Sequence, residues 1–107
     1  MRWTVETLNA LVDGEIDRLP AGLRAKLLRL MATVENHGLE QMREPHVKQL
    51  EGKLWELRVS AQEGIARGLY VTVKGRRVVI LHVFEKKSQK TPQRSIDLAL
   101  ARMKEVT

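Results

Sequence analysis

Val78-Val79-Ile80-Leu81-His82-Val83-Phe84, followed by Glu85-Lys86-Lys87-Ser88-Gln89-Lys90 and then Thr91-Pro92, is the stretch from which the fold is read. The first seven residues form an apolar, β-branched run of the kind that suits a strand. The next six make a cationic loop. Thr91 then reads as an N-cap and Pro92 as the first helical position, with Ile96, Ala99, Leu100 and Met103 spaced as one apolar stripe. Strand, basic loop and capped helix follow one another without a spacer.

Working outward from this unit, Lys74-Gly75-Arg76 supplies a turn, with Gly75 able to take a positive φ. Ile65 to Val73 reads as the strand before it, and Leu54 to Val59 as the one before that. Residues 39–52 read as irregular, because Pro45 and Gly52 break any pattern. Upstream, Leu8, Leu11, Val12, Glu15, Ile16 and Leu19 fall at helical spacing, with Thr7 as the expected N-cap and Glu15 the one polar residue on the stripe. Pro20 and Gly22 punctuate. Leu23, Leu27, Leu30, Met31 and Val34 form the stripe of a second helix, closed by Gly38. Trp3-Thr4-Val5 reads as a short first strand. The order β, α, α, β, β, β, α predicts an α+β domain over residues 1–107: an antiparallel sheet with two N-terminal helices and one C-terminal helix packed against it.

Composition bounds the function. The chain has 107 residues, 43% of them hydrophobic, and no cysteine. Disulfides and thiolate zinc sites are excluded, and a reducing cytoplasm is the expected location. No apolar run approaches the roughly 20 residues of a membrane span, and the first residues lack a signal peptide's apolar core. Charge is unevenly placed. Residues 1–73 carry 10 basic and 10 acidic residues, and residues 95–107 carry 2 of each. The net +6 therefore lies in residues 74–94, as Lys74, Arg76, Arg77, Lys86, Lys87, Lys90 and Arg94 against Glu85. A neutral body with one cationic segment suits a protein that meets phosphates.

Lys86, Lys87 and Lys90 lie between a strand end and a helix start, where they can hold phosphates or simply guard a sheet edge. Arg58 and Arg67 sit inside strands. Arg67, flanked by Ala66 and Gly68, either lines a groove for an anion or pairs with Glu56 or Glu63. Tyr70 lies near Arg67 at opposite strand parity, and Trp55 and Phe84 add aromatic surface for stacking or for the core. His37, His46 and His82 show no metal-ligand spacing. His82 is a candidate base, or a histidine satisfied within a packed strand. No phosphate-binding glycine loop, nucleophile elbow or zinc signature occurs. Chemistry in this chain rests on cations, which narrows it to reactions on phosphodiesters. No metal or cofactor is called for.

Read in order, Lys48 to Arg58, Arg67-Gly68-Leu69-Tyr70, Leu81 to Pro92 and Ala99-Leu100-Ala101-Arg102 resemble the RelE/ParE toxin superfamily. The nearest branch is the HigB type, the phage-derived host-inhibition toxins. The resemblance implies a curved antiparallel sheet that cradles RNA. It implies a type II toxin that cleaves mRNA, commonly in the ribosomal A site, by attack of the RNA's own 2′-OH. It also implies silencing by an Xre-type helix-turn-helix antitoxin. By this likeness Arg67 and Lys87 act on the scissile phosphate, and Tyr70 orients or stacks the substrate. Arg58, Lys86, Lys90 and Lys48 hold RNA phosphates. No tyrosine or histidine follows His82, so the likeness leaves the general base open. ParE relatives poison gyrase and lack the cationic site. That activity and a non-catalytic basic RNA-binding module are the competing expectations.

Overall fold

The apolar run Val78–Phe84 forms an inner strand covered on both faces. A computed structural model describes residues 2–86 and 90–106. In chain order the elements are β1 (Thr4–Thr7), α1 (Ala10–Asp17), α2 (Ala21–His37), a 3-10 turn (Leu39–Gln41), β2 (Val47–Glu51), β3 (Leu54–Ala61), β4 (Gly64–Val73), β5 (Arg77–Glu85) and α3 (Gln93–Met103). The strands form one sheet in the order β1-β5-β4-β3-β2. Neighbours from β2 to β5 are antiparallel, whereas β1 runs parallel to β5 and pairs Thr4 with Arg77 and Thr7 with Ile80. The α+β class is as read from the sequence, with one parallel edge added.

Two cores share the sheet. On one face Val12 and Ile16 of α1 and Leu23, Leu27 and Val34 of α2 pack against Leu57, Val59, Ala66, Tyr70, Val78, Ile80 and Val83. On the other, Ile96 and Ala99 of α3 cover Leu54, Leu69, Val71, Val79 and Leu81. Each fully buried aliphatic side chain contributes roughly 1.5–3 kcal/mol relative to exposure. A continuous apolar run such as Val78–Val83 is what a strand sandwiched between two helical layers needs. A register shift between Leu69 and Tyr70 in the β4–β5 ladder makes Leu81 and His82 successive occupants of the α3 side.

Three local expectations change. β2 lies inside the segment read as irregular. It is an edge strand in which only Val47 is buried and Lys48 and Gln49 are exposed, so no apolar alternation announces it. Gly52, at φ 56, turns it into β3. Thr7 does not cap α1: Asn9 does, its side chain accepting the Val12 N–H, while the Thr7 hydroxyl donates to Asp13. Thr91 does not cap α3, which starts after Pro92 with no side-chain cap. Gly38 closes α2 as expected, at φ 91, its N–H donating to the Val34 carbonyl.

Candidate functional site

Strand alternation decides which candidates meet. Directly opposed residues of an antiparallel ladder share a face. Arg58, Arg67 and Phe84 are cross-strand partners in one row over β3, β4 and β5. The adjacent row holds Lys48, Glu56, Leu69 and His82. Both rows lie on the α3 side of the sheet. Ala66 and Gly68 point the other way: a Cβ on Gly68 would meet Ile80, Val83 and Leu27 at 3.8–3.9 Å. The space these small residues leave is therefore filled by α2 and is not a groove beside Arg67.

Glu56 organises the site. It is fully buried, 0% exposed, as is Arg67. Arg58 donates through Nε to Glu56 Oε2 at 3.0 Å, and Arg67 Nη1 lies 3.5 Å from Glu56 Oε1. Arg67 Nη1 also donates to Thr91 Oγ1 at 2.7 Å, and the Thr91 hydroxyl donates in turn to Glu56 Oε1. Of the two readings open for Arg67, the ion pair with Glu56 is the one observed. Burial draws the Arg67 pKa below the ordinary arginine value, with Glu56 opposing the shift and Arg58 adding to it. Two arginines on one carboxylate leave a net charge of about one proton's worth at this point. Thr91 is spent on this network, which is why it is not available as a helix cap.

The same network moors the lysine loop. The Lys86 N–H donates to the Ile65 carbonyl at 2.9 Å, at the start of β4. Thr91, five residues on, is held two residues further along β4 by Arg67. Both ends of the loop are thus fastened at one corner of the sheet, with Lys86 half-buried and Lys90 exposed. Lys87 lies outside the described residues. Two further cations of the basic segment lie elsewhere. Arg77 ion-pairs with Glu6 at 2.7 Å and Arg76 with Glu40 at 3.8 Å, at the far end of β5. Roughly 27 Å of strand, at about 3.4 Å per residue, separates the two ends. The single cationic segment of the sequence is two separate clusters in space.

The sequence profile of the Gp49-like phage-derived proteins (DUF891) matches residues 14–104. The chain belongs to this family. No curated protein sequence matches it. Among solved structures, it is similar to a double mutant of the Escherichia coli toxin RelE in the free state, at TM-score 0.65 and 14% identity, over 96% of this chain and 99% of the other. It is similar to the archaeal RelE–RelB complex of Pyrococcus horikoshii OT3, at TM-score 0.60 and 23% identity, over 84% and 100%. It is also similar to the Mycobacterium tuberculosis toxin–antitoxin complex RelBE2, at 0.57 and 18%, over 82% and 95%. These likenesses establish the RelE fold.

Within this Gp49-like chain, Tyr70 does not reach the site. It is 1% exposed and packs in the α2-side core. Its parity is opposite to that of Arg67, and its hydroxyl makes no hydrogen bond among the described residues. Burial pushes its pKa well above the usual tyrosine value. A buried phenol on the far face neither stacks a base at Arg67 nor takes a proton there. His82 is satisfied: its Nδ1 lies 3.0 Å from Glu15 Oε1, and its ring stacks on Phe84 at 5.0 Å.

Sequence reasoning missed Thr91 and Glu15 as partners. Glu15 accepts the Val83 N–H at 2.9 Å and a hydrogen bond from Arg102 at 2.9 Å, while Arg102 also donates to the Leu81 carbonyl. β1 stops at Thr7, opposite Ile80. Two side chains thus replace a missing strand along the outer edge of β5. Burial alone would raise the Glu15 carboxyl pKa. The Val83 N–H, His82 and Arg102 outweigh it and bring it below the ordinary value of 4.5. The signal was present in the sequence as the one charged residue on an otherwise apolar stripe.

Proposed function

We propose that this Gp49-like protein is the toxin of a type II toxin–antitoxin pair and cleaves mRNA at the ribosome without a metal. One observation carries the reading: the buried Glu56–Arg67–Thr91 network fastens a lysine-rich loop to the end of a sheet face that also presents Arg58 and Lys48. RNA brings its own nucleophile, the 2′-OH. What it needs from a protein is in-line positioning and charge against the developing phosphorane, and one such contact is worth about 2.7–4 kcal/mol. In this proposal Lys86, Lys87 and Lys90 meet the scissile phosphate and its neighbours. Arg58 and Lys48 hold flanking phosphates. Arg67 contributes from beneath, as a fixed charge and through Thr91 as the anchor of the loop. An acid-rich segment of an Xre-type antitoxin would cover this surface, and complementary charge would speed its association.

Primer extension on cellular mRNA after brief induction tests the reading. Cuts within reading frames are expected. Intact transcripts with accumulating DNA breaks would instead assign gyrase poisoning. Intact transcripts and intact DNA would leave a basic binding module.

A further inference from the structure

Away from the sheet end, a groove of about 460 Å³ runs between α2 and the outer edge of β3. Lys26, Arg29 and Thr33 line it from α2, His46 from the approach to β2, and Arg58 and Ser60 from β3. Among the described residues no carboxylate lines it. Arg29 is exposed, and no ion pair holds it among the described residues. Lys26 has no acidic partner there either: its ammonium donates to the Ser60 carbonyl at 2.7 Å. That bond occupies the outer edge of β3 beyond the β2 pairing, which reaches Val47 opposite Leu57 and is followed by the Arg58 N–H donating to the His46 carbonyl. A lysine seated on the edge discourages an added strand. Leu30, Pro45 and Val59 give the groove an apolar floor, and the charge at its rim is positive with no acid among the lining residues, which suits an anion that also carries apolar surface.

Arg58 joins this groove to the sheet-end site. It lines the groove, and its guanidinium sits on Glu56, the carboxylate that also holds Arg67. Arg58 thus borders both places, at the edge of the sheet that separates them. Lys26, Arg29 and Thr33 lie at helical spacings of three and four, so they form one stripe roughly 10 Å long down α2. We infer that the groove is a second phosphodiester-binding subsite. It carries an RNA strand away from the sheet end, over Arg58 and along α2. The inference rests on reading the sheet end as an RNA site and adds a direction and a footprint to it.

The test uses the full chain and 2′-O-methyl oligonucleotides, which bind but cannot supply the nucleophile. A short strand of about 4 nucleotides fills one subsite, and a long one of about 12 reaches both. The wild type should bind the long strand more tightly. Lys26→Ala with Arg29→Ala should weaken the long strand about tenfold and flatten its salt dependence by about 0.7 per cation removed. Short-strand affinity should not change, and Arg29→Lys should retain most of the long-strand affinity. Thermal unfolding of Arg29→Ala alone checks the fold. Unchanged long-strand affinity and slope in the double variant would overturn the subsite. So would a double variant that keeps RNA affinity and loses an acidic protein partner, since the groove would then belong to that partner. Loss of long-strand binding in a protein whose wild type never cleaves mRNA would sustain the groove and reject the nuclease. A wild type that binds neither strand would reject both.

Discussion

At one end of β5, Arg76 and Arg77 ion-pair with Glu40 and Glu6, and β1 covers the strand's outer edge with backbone hydrogen bonds. At the other end, Lys86 and Lys90 extend from a corner built on buried Glu56, Arg67 and Thr91, and the edge is covered by the side chains of Glu15 and Arg102. The cations of the first end hold together segments that are distant in the chain. At the second, the two ends of the loop that carries the lysines are fastened by the Ile65 carbonyl and by Arg67 and Glu56. Charge that stabilises a fold is matched locally by an acid. In the proposed function, charge that meets a ligand is carried on a scaffold whose buried charges are already paired.

The largest effect that sharpens this contrast is expected from Glu56→Ala. It strips the partner from a fully buried arginine and from a buried hydroxyl, and breaking one member of such a pair costs about 3–5 kcal/mol. Denaturant unfolding would measure it. Glu6→Ala, at the solvated end, should barely move the midpoint, because exposed pairs contribute little. Similar losses from the two changes would erase the distinction between a scaffold and a surface pair. Arg67→Lys should fall between wild type and Glu56→Ala: it keeps a charge near Glu56 but loses the planar fork that reaches Thr91 as well.

Next in size is the effect on cleavage. Lys86→Ala with Lys90→Ala should lower mRNA cleavage by at least about 100-fold, the loss typical of one missing contact to a developing charge. Stability should change by no more than about 0.5 kcal/mol, as for most surface substitutions. Primer extension and thermal unfolding on the same preparations check both. Full cleavage in this variant would reduce the loop to a solvated edge.

The two ends also differ in how far the sequence revealed them. Element types, the two-helix layout and the strand–loop–helix unit were legible because periodicity is a property of neighbours in the chain. The pairing of charges was not. Arg76 and Arg77 counted toward one cationic segment, because Glu40 and Glu6 lie 36 and 71 residues away from them. Thr91 carried a good capping signal and was claimed by Glu56 and Arg67 instead, since a buried ion pair must satisfy its remaining hydrogen bonds. Tyr70 stood close to Arg67 in sequence, but strand parity put it in the other core. β2 was hidden because an edge strand exposed on both sides lacks the alternation that marks strands.

A smaller effect, confined to acid, should separate the two edges of β5. The Glu15 pKa is held below its ordinary 4.5 by the Val83 N–H, His82 and Arg102 against the cost of burial. The folded state therefore binds fewer protons than the unfolded state near that pH. The stabilisation is fully present above about pH 4.5 and is lost as pH falls through the depressed value. Hydrogen exchange, corrected for intrinsic rates, should show the Val83 amide losing protection in that window while amides paired with β1 keep theirs. Glu15→Gln should cost about 1–3 kcal/mol at neutral pH and flatten the acid limb of the stability curve. Protection at Val83 that does not depend on pH would mean that its cover does not come from a carboxylate.

The smallest effect concerns Arg76→Ala with Arg77→Ala, and its salt dependence is the informative part. The two ends of β5 lie roughly 27 Å apart. At about 0.15 M salt the screening length is about 8 Å, so charge at one end is invisible at the other; at about 0.01 M it grows to about 30 Å and the two overlap. Removing these arginines also frees Glu6 and Glu40 as local negative charge. Oligonucleotide association should therefore slow in the double variant at low salt and match the wild type at physiological salt, with cleavage of bound RNA unchanged at both. Stopped-flow association at the two salt concentrations would show it. A cleavage defect that persists at physiological salt would mean that RNA spans the whole length of β5. Arg76 and Arg77 would then have to leave their glutamates for phosphate, and the division between fold charge and ligand charge would fail at the place where it is drawn most sharply.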